Sequence, residues 1–190
     1  MPIENSKTQD AVQAGMIANK QAVDTVGAGG VYSVECIGPD GQVKWTDTFH
    51  NLVMNTGVQD MVTDYFKGIS YTATPFLGLV TGPGSGSAFT AGDTLASHAG
   101  WTESSAYAGA RKAAVFGTAT TANPSVISNS ASPASFVMNA TVTIAGAFLC
   151  TVDSGTSGIL FSAGDFTGGD KLVDSGDTLN VTYTFSLTAT

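Results

Sequence analysis

The sequence has few charged residues, and most of those are acidic. Charged side chains make up 12% of the 190 residues, about half the usual quarter. So little charge is typical of secreted β-proteins and of assemblies whose faces are covered by neighbours, and it argues against a freely diffusing cytosolic enzyme. Lys and Arg number 7 against 15 Asp and Glu, which gives a formal net charge of −8. We therefore expect no nucleic-acid partner, because phosphate binding needs clustered cations.

Cysteine and long apolar runs are also scarce. Cys36 and Cys150 lie far apart, each inside an apolar run, and a chain of this length needs no disulfide framework to bury a core. Two buried free thiols are favoured over a bridge, which suits synthesis in a reducing cytosol. No run is long enough to cross a bilayer, and the polar start MPIENSKTQD does not resemble a secretory signal. We expect no membrane partner.

Chemistry-bearing residues are few. His50 and His98 are the only histidines, no Gly-x-Ser-x-Gly elbow accompanies them, and a zinc site needs more ligands than they and two core-like cysteines provide. The glycine loop TGPGSGSAF lacks the Gly-Lys-Ser/Thr ending of a phosphate cradle. Trp45 and Trp101 are better explained as core anchors than as sugar platforms. We expect no catalytic residue and no cofactor.

The sequence pattern divides the chain into an N-terminal arm at 1–30 and a single domain at 31–190. The arm carries apolar residues with only partial helical spacing and ends in glycines, so it has no evident place in a core. We expect it to contact a neighbouring subunit. The candidate inter-subunit contacts are Val12, Met16, Ile17, Val23 and Val26.

Alternating strands and one helix make up the predicted domain. VYSVECIG and QVKWTDTFHN flank a Pro-Asp-Gly turn, which predicts a hairpin with Tyr32, Val34 and Cys36 on one face. In NTGVQDMVTDYFKG the apolar spacing predicts an amphipathic helix at about 57–67. The pattern predicts a capping box of Thr56 and Gln59, with Asp60 in the first turn and Gly68 as the stop. The apolar face comprises Val58, Met61, Val62, Tyr65 and Phe66.

The remainder is predicted as short strands. They are TPFLGLVTG, a strand around Lys112–Gly117, an alternating run from Phe136 to Ile144 and a second one from Ala147 to Thr151 with Gly146 as a bulge or bend between them, GILFSAGDF, and a closing strand from Leu179 to Leu187. Several short strands punctuated by Gly, Asp and Ser indicate a mainly β fold. We predict an antiparallel β-sandwich, jelly-roll-like, with one short helix and the N-terminal arm.

The aspartates that lie next to glycines near the C-terminal end of the sequence can be interpreted as a cation site or as turn residues. Asp165, Asp170, Asp174 and Asp177 form an acidic, glycine-rich stretch, and oxygen ligands on such a loop suit calcium, although the spacing fits no known calcium loop. Turn chemistry is the favoured alternative, because Asp next to Gly bonds its own backbone at a bend.

The four letters GDTL occur at 92–95 and 176–179, with different flanks. This argues against an internal repeat and for one turn used twice.

The ordered set of segments resembles a family of tailed-bacteriophage virion structural proteins. The match rests on VYSVECIGPDGQVKWTDTFHNLVMNTGVQDMVTDYF, FLGLVTG, GDTLASHAGWTESSAY, ATVTIAGAFL and GDTLNVTYTF, and it covers about 31–190. Members are labelled capsid cement, decoration or tail-fibre-like proteins. The resemblance implies a non-enzymatic component of the particle.

Two functions remain open from this resemblance. The first is a decoration protein made in the host bacterial cytoplasm, which binds the major capsid protein on the outer capsid surface and assembles with other copies of itself as a dimer or trimer. The second is a tail-tip or tail-fibre component that attaches to the host surface. Loop 82–92 contains little but small residues and Phe89, which favours the first.

Overall fold

The computed structural model describes residues 25–68, 74–81 and 89–189. In chain order the elements are β1 (Val26–Ile37), β2 (Val43–His50), β3 (Leu52–Val53), α1 (Asn55–Lys67), β4 (Phe76–Thr81), β5 (Thr102–Glu103), β6 (Lys112–Ala113), β7 (Ser125–Ser128), β8 (Ala134–Val137), β9 (Val142–Ile144), β10 (Gly146–Cys150), β11 (Leu160–Asp165), β12 (Lys171–Val173) and β13 (Thr178–Ala189).

Two antiparallel sheets form the fold. The first has the order β2-β1-β13-β7, with β8 also paired to β13, and the second has the order β3-β11-β10-β4-β5, with β6 also paired to β4. Strands β12 and β9 form a third, two-stranded sheet. The predicted mainly β, antiparallel sandwich with one helix is confirmed for the described residues. The jelly-roll connections stay a prediction.

The long strands β1 and β13 form the centre of the first sheet. Its register runs without a break from Val26 opposite Ala189 to Ile37 opposite Thr178. Because side chains alternate along a strand, one face of the pair is apolar and points into the sandwich. The fully or almost fully buried residues of this inner face are Tyr32, Val34, Cys36, Leu179, Val181 and Tyr183. The predicted faces of both strands are confirmed at these positions.

Strand β1 begins earlier than the sequence pattern indicated. The predicted arm ended at residue 30, but Val26–Gly30 already pair with β13, so these residues belong to the sheet. Glycines do not stop the strand here because β13 supplies a continuous partner. At its other end, the predicted turn is confirmed: Gly41 has φ 76° and its N–H donates to the Gly38 carbonyl at 2.9 Å.

A buried polar network joins the two sheets. The Tyr32 hydroxyl lies 2.8 Å from Ser162 Oγ on β11, and Asn51 Nδ2 donates to the Tyr183 hydroxyl at 2.9 Å. Ser162 Oγ also donates to that hydroxyl at 3.4 Å. Burial raises the pKa of Tyr32 well above its usual value, with the neighbouring Tyr183 acting in the same direction. Both tyrosines are therefore neutral hydrogen-bonding core residues.

Helix α1 ends as predicted but begins differently. Gly68 follows it with φ 65°, in the left-handed conformation that stops a helix. The capping box is wrong: the N-cap residue is Met54, which makes no side-chain cap, and the Thr56 hydroxyl donates instead to the Leu160 carbonyl at 2.9 Å. Asp60 also lies beyond the first turn, which contains no acidic residue. Contacts with β11 thus replace local capping.

Several later strands are shorter than their patterns predicted. The run from Phe136 to Ile144 divides into β8 and β9, and the strand expected at Lys112–Gly117 extends only over Lys112–Ala113. Gly146 does not interrupt a strand but begins β10, where a side chain would collide with the backbone of Gly164 on β11. Close approach of two strands, not a bend, explains the glycine.

Candidate interaction surface

Helix α1 turns most of its apolar face toward solvent. Gly57 is its buried residue, because the helix backbone rests directly on Phe161 of β11. Val58 is 43% exposed, Val62 53%, Tyr65 82% and Phe66 77%. We call these four residues the helix patch. The apolar face predicted from the sequence exists, but apart from the partly buried Met61 it does not pack against the sandwich.

An apolar groove lies beside this helix, between the ends of the two sheets. Its volume is about 640 Å³, within the range of about 300–1,000 Å³ usual for ligand pockets. The first sheet contributes β13 and β7, the second contributes β10 and β11, and α1 forms one wall. The residues of the groove are Asp60, Met61, Asp64, Tyr65, Pro75, Phe116, Ile127, Leu149, Cys150, Thr151, Phe161, Tyr183, Phe185 and Leu187.

Among the described residues that line the groove, two carboxylates from α1 are the charged groups. Asp60 and Asp64 are four residues apart, so they share one side of the helix. Burial raises the pKa of Asp60, and the nearby charge of Asp64 raises it further. A cation beside the pair would stabilise the charged form of both carboxylates. The groove is thus apolar inside, with one negative wall.

The predicted inter-subunit contacts are mostly not placed. Val12, Met16, Ile17 and Val23 lie outside the described residues. Val26 is the first residue of β1 and is 73% exposed. Their role as contacts to a neighbour stays a prediction.

The acidic stretch is held by protein contacts at two of its aspartates. Lys44 Nζ lies 2.8 Å from Asp174 Oδ2 and 2.7 Å from Asp177 Oδ2. The described residues hold no group of three or more His, Cys, Asp or Glu that could bind a metal ion. Burial by itself raises the pKa of Asp177, but hydrogen bonds from Lys44 and from the Asp174 N–H outweigh it, and the pKa is lowered.

The two GDTL segments use aspartate in the same way. Asp93 accepts hydrogen bonds from the Thr90 N–H at 3.2 Å, the Thr90 hydroxyl at 2.7 Å and Trp101 Nε1 at 3.0 Å. Asp177 accepts one from the Asp174 N–H at 2.9 Å. Each carboxylate thus ties a turn together from a buried position. The favoured interpretation, turn chemistry used twice, is confirmed by these bonds.

The other candidate residues have structural partners. His98 Nδ1 lies 3.0 Å from the Trp101 carbonyl, and the two rings stack at 3.9 Å. Trp101 is buried, whereas Trp45 is partly buried against the core. Most of the glycine loop, residues 82–88, lies outside the described residues. Cys36 and Cys150 are buried and free, as predicted, and burial raises the pKa of Cys36 to about 11.

A second, smaller cleft contains a charge pair that is already satisfied. It measures about 270 Å³. Arg111 Nε and Nη2 bind the two carboxylate oxygens of Glu103 at 2.8 and 2.7 Å, and the guanidinium also donates to the carbonyls of Val152 and Gly155. The arginine therefore stabilises loops and offers no free donor pair for an anion.

Sequence reasoning missed the groove. Its lining comes from strands and loops far apart in the chain, so no local motif marks it. The available signal in the sequence was Leu187 near the end of β13, which continues the alternating apolar face of that strand. In the structure this residue lines the groove and is 37% exposed.

Comparisons of the chain with protein-family models, with curated proteins and with solved structures find no match. Within the described residues, α1 is neither long nor apolar enough to span a membrane.

Proposed function

We propose that the protein is a non-enzymatic decoration protein of a tailed-phage head, which binds the outer surface of the major capsid lattice and stabilises the shell. The observation that carries this proposal is the helix patch. Exposed apolar surface of this kind marks a protein-protein contact site. The sequence resemblance supplies the phage particle as the setting, and synthesis in the host cytoplasm agrees with two free buried thiols.

The helix patch has the chemistry of an interface anchor. The rings of Tyr65 and Phe66 contact edge to face with centroids 5.0 Å apart, and aromatic side chains dominate the binding energy of many interfaces. Burying apolar surface contributes about 25 cal/mol per Å², so one patch gives modest affinity. A lattice with many equivalent sites, occupied by an oligomer of the chain, multiplies such contacts. A net charge of −8 opposes attachment through DNA.

Co-sedimentation with expanded capsids that lack the protein tests this proposal. We expect Val62→Ser/Phe66→Ser to lose most binding, because both side chains belong to the patch and neither lines the groove. Leu172→Ser is the matched control, since Leu172 is 62% exposed on β12. Undiminished binding by the double variant, with both variants folded by circular dichroism, would remove the patch as the capsid contact.

Copy number in purified particles separates the two expected locations. A head decoration protein follows the symmetry of the shell and is present in hundreds of copies. A tail-tip or tail-fibre component is present in a few copies to a few tens. A count in the lower range would overturn the decoration proposal in favour of the tail.

A further inference from the structure

The first sheet extends beyond the second at one end of the sandwich. Val26 and Ala28 on β1 lie on the same face as the buried Tyr32, and Leu187 on β13 lies opposite Ala28. By strand alternation these residues point inward, yet Val26 is 73% and Leu187 37% exposed. Apolar inner-face positions are therefore uncovered where the groove opens.

The chain enters the sheet at this same place. Residues 1–24 precede the described part, and the segment joins β1 at Val26, two positions along the strand from Ala28 and its partner Leu187. Leu187 lines the groove. The N-terminal segment is thus tethered at the groove's mouth.

We infer that the groove is filled by the chain's own N-terminal segment, residues 12–23, folded back along the inner face of β1 and β13. Asp24 is suited to the required reversal. In extended conformation Ile17 lies about 20 Å from Val23. The distance along β13 from Leu187 to Tyr183, at the inner end of the groove, is about 13 Å. Met16 and Ile17 therefore reach the deepest apolar residues.

The charge of the segment matches that of the groove. Between Ala11 and Val23 the only charged residue is Lys20, which lies three residues from both Ile17 and Val23. Among the described residues of the groove, the charged ones are Asp60 and Asp64 on α1. An ammonium group beside these carboxylates is favourable, and the pair would hold the segment in one register.

The chain's own N-terminal segment binds the groove in preference to the same segment of a second copy. A tether of about ten residues spans roughly 17 Å on average, comparable to the distance of about 13 Å along β13 from Leu187 to Tyr183, so its effective concentration is on the order of millimolar. At micromolar protein the tethered segment occupies the groove first. This gives the arm an intramolecular role in place of the inter-subunit contact expected from the sequence, and it does not depend on the capsid proposal.

Disulfide trapping in the full chain tests the inference. We expect Ile17→Cys/Ile127→Cys to form a cross-linked monomer on mild oxidation, because Ile127 lines the groove. Both variants are made in a Cys150→Ala background, because the native Cys150 also lines the groove and would react with a cysteine at position 17. In that background Ile17→Cys/Val137→Cys is the control and should form none, since Val137 is exposed at the far end of the first sheet. A cross-linked dimer would identify a second copy as the occupant and overturn the inference. Absence of any product would overturn it as well.

A dye-binding measurement provides an independent check that needs no cysteine. We expect Met16→Ser/Ile17→Ser to raise the fluorescence of the apolar dye ANS several-fold by uncovering the groove, whereas Gln13→Ser/Gln21→Ser should leave it unchanged. Equal fluorescence of both variants, at unchanged circular dichroism, would show that the segment does not cover the groove. Loss of capsid binding by Val62→Ser/Phe66→Ser is unaffected by either result.

Discussion

Substituting Gly57 by alanine should displace α1 from the sandwich. A methyl group at this position would lie 2.7 Å from the Phe161 carbonyl oxygen, 2.9 Å from its Cα and 2.9 Å from its ring. The first two atoms are backbone of β11, which cannot move aside as a side chain end does. The helix must therefore shift, and this strains the hydrogen bond from the Met54 N–H to the Phe161 carbonyl, 2.9 Å long.

The expected cost follows from two opposing effects. Overpacking of this kind destabilises by about 1–3 kcal/mol, whereas alanine gains at most about 1 kcal/mol over glycine in a helix. Since the clash is with backbone, we expect Gly57→Ala to lose about 1–2 kcal/mol of unfolding free energy. For a chain of this size that lowers Tm by roughly 2–8 °C. Urea and thermal unfolding followed by circular dichroism measure both quantities.

Gly92→Ala is the matched control. A methyl group there meets nothing within 4 Å, and the backbone is not in the left-handed region, so we expect unchanged stability or a gain of about 0.4–1 kcal/mol. If Gly57→Ala were as stable as Gly92→Ala, the close contact between α1 and β11 would be refuted, and with it the orientation that exposes the helix patch.

Two further predictions concern buried charges. Hydrogen bonds, acting against burial, lower the pKa of Asp93 and of Asp177 below the usual value of about 3.9. Stability from these groups is therefore complete above pH 4 and lost as pH falls through the folded pKa values. Urea unfolding should show this fall. We expect Asp93→Asn to have a lower unfolding free energy than the unsubstituted protein at pH 7, and a smaller decrease of that free energy below pH 4. If the unfolding free energies of the two proteins fell in parallel below pH 4, the lowered pKa of Asp93 would be contradicted. Arg111→Met should cost about 1.5–3 kcal/mol, because the buried guanidinium loses its hydrogen bonds to the partly exposed Glu103 and to two backbone carbonyls. A change below about 0.5 kcal/mol in the same assay would contradict this arrangement.

The sequence predicted the sheet residues well because strand alternation is a local pattern. Tyr32, Val34 and Cys36 alternate with polar neighbours, and burial follows that alternation in β1. The pairing of β1 with β13 was not predicted, since it joins residues about 150 positions apart and nothing in either strand specifies its partner. The early start of β1 at Val26 follows from that pairing.

The helix shows where local reasoning ends. Its end at Lys67 and its Gly68 stop were predicted correctly, because both depend on neighbouring residues. Its start was not, because Thr56 bonds to β11 instead of capping the helix. A hydrophobic stripe identifies a surface that requires a partner, and it does not say whether the partner is the chain's own core.

The exposed stripe also explains why a single glycine matters so much. A surface helix is normally held to its domain by its apolar face, but α1 is held by the backbone contact at Gly57 and by hydrogen bonds to Leu160 and Phe161. This attachment leaves the apolar side chains of α1 other than Met61 without a place in the sandwich core. One side of the helix then forms the wall of the groove, while Val62 and Phe66 face outward. A helix attached in this way can serve two contacts at once, and for this reason the capsid and arm proposals require separate variants.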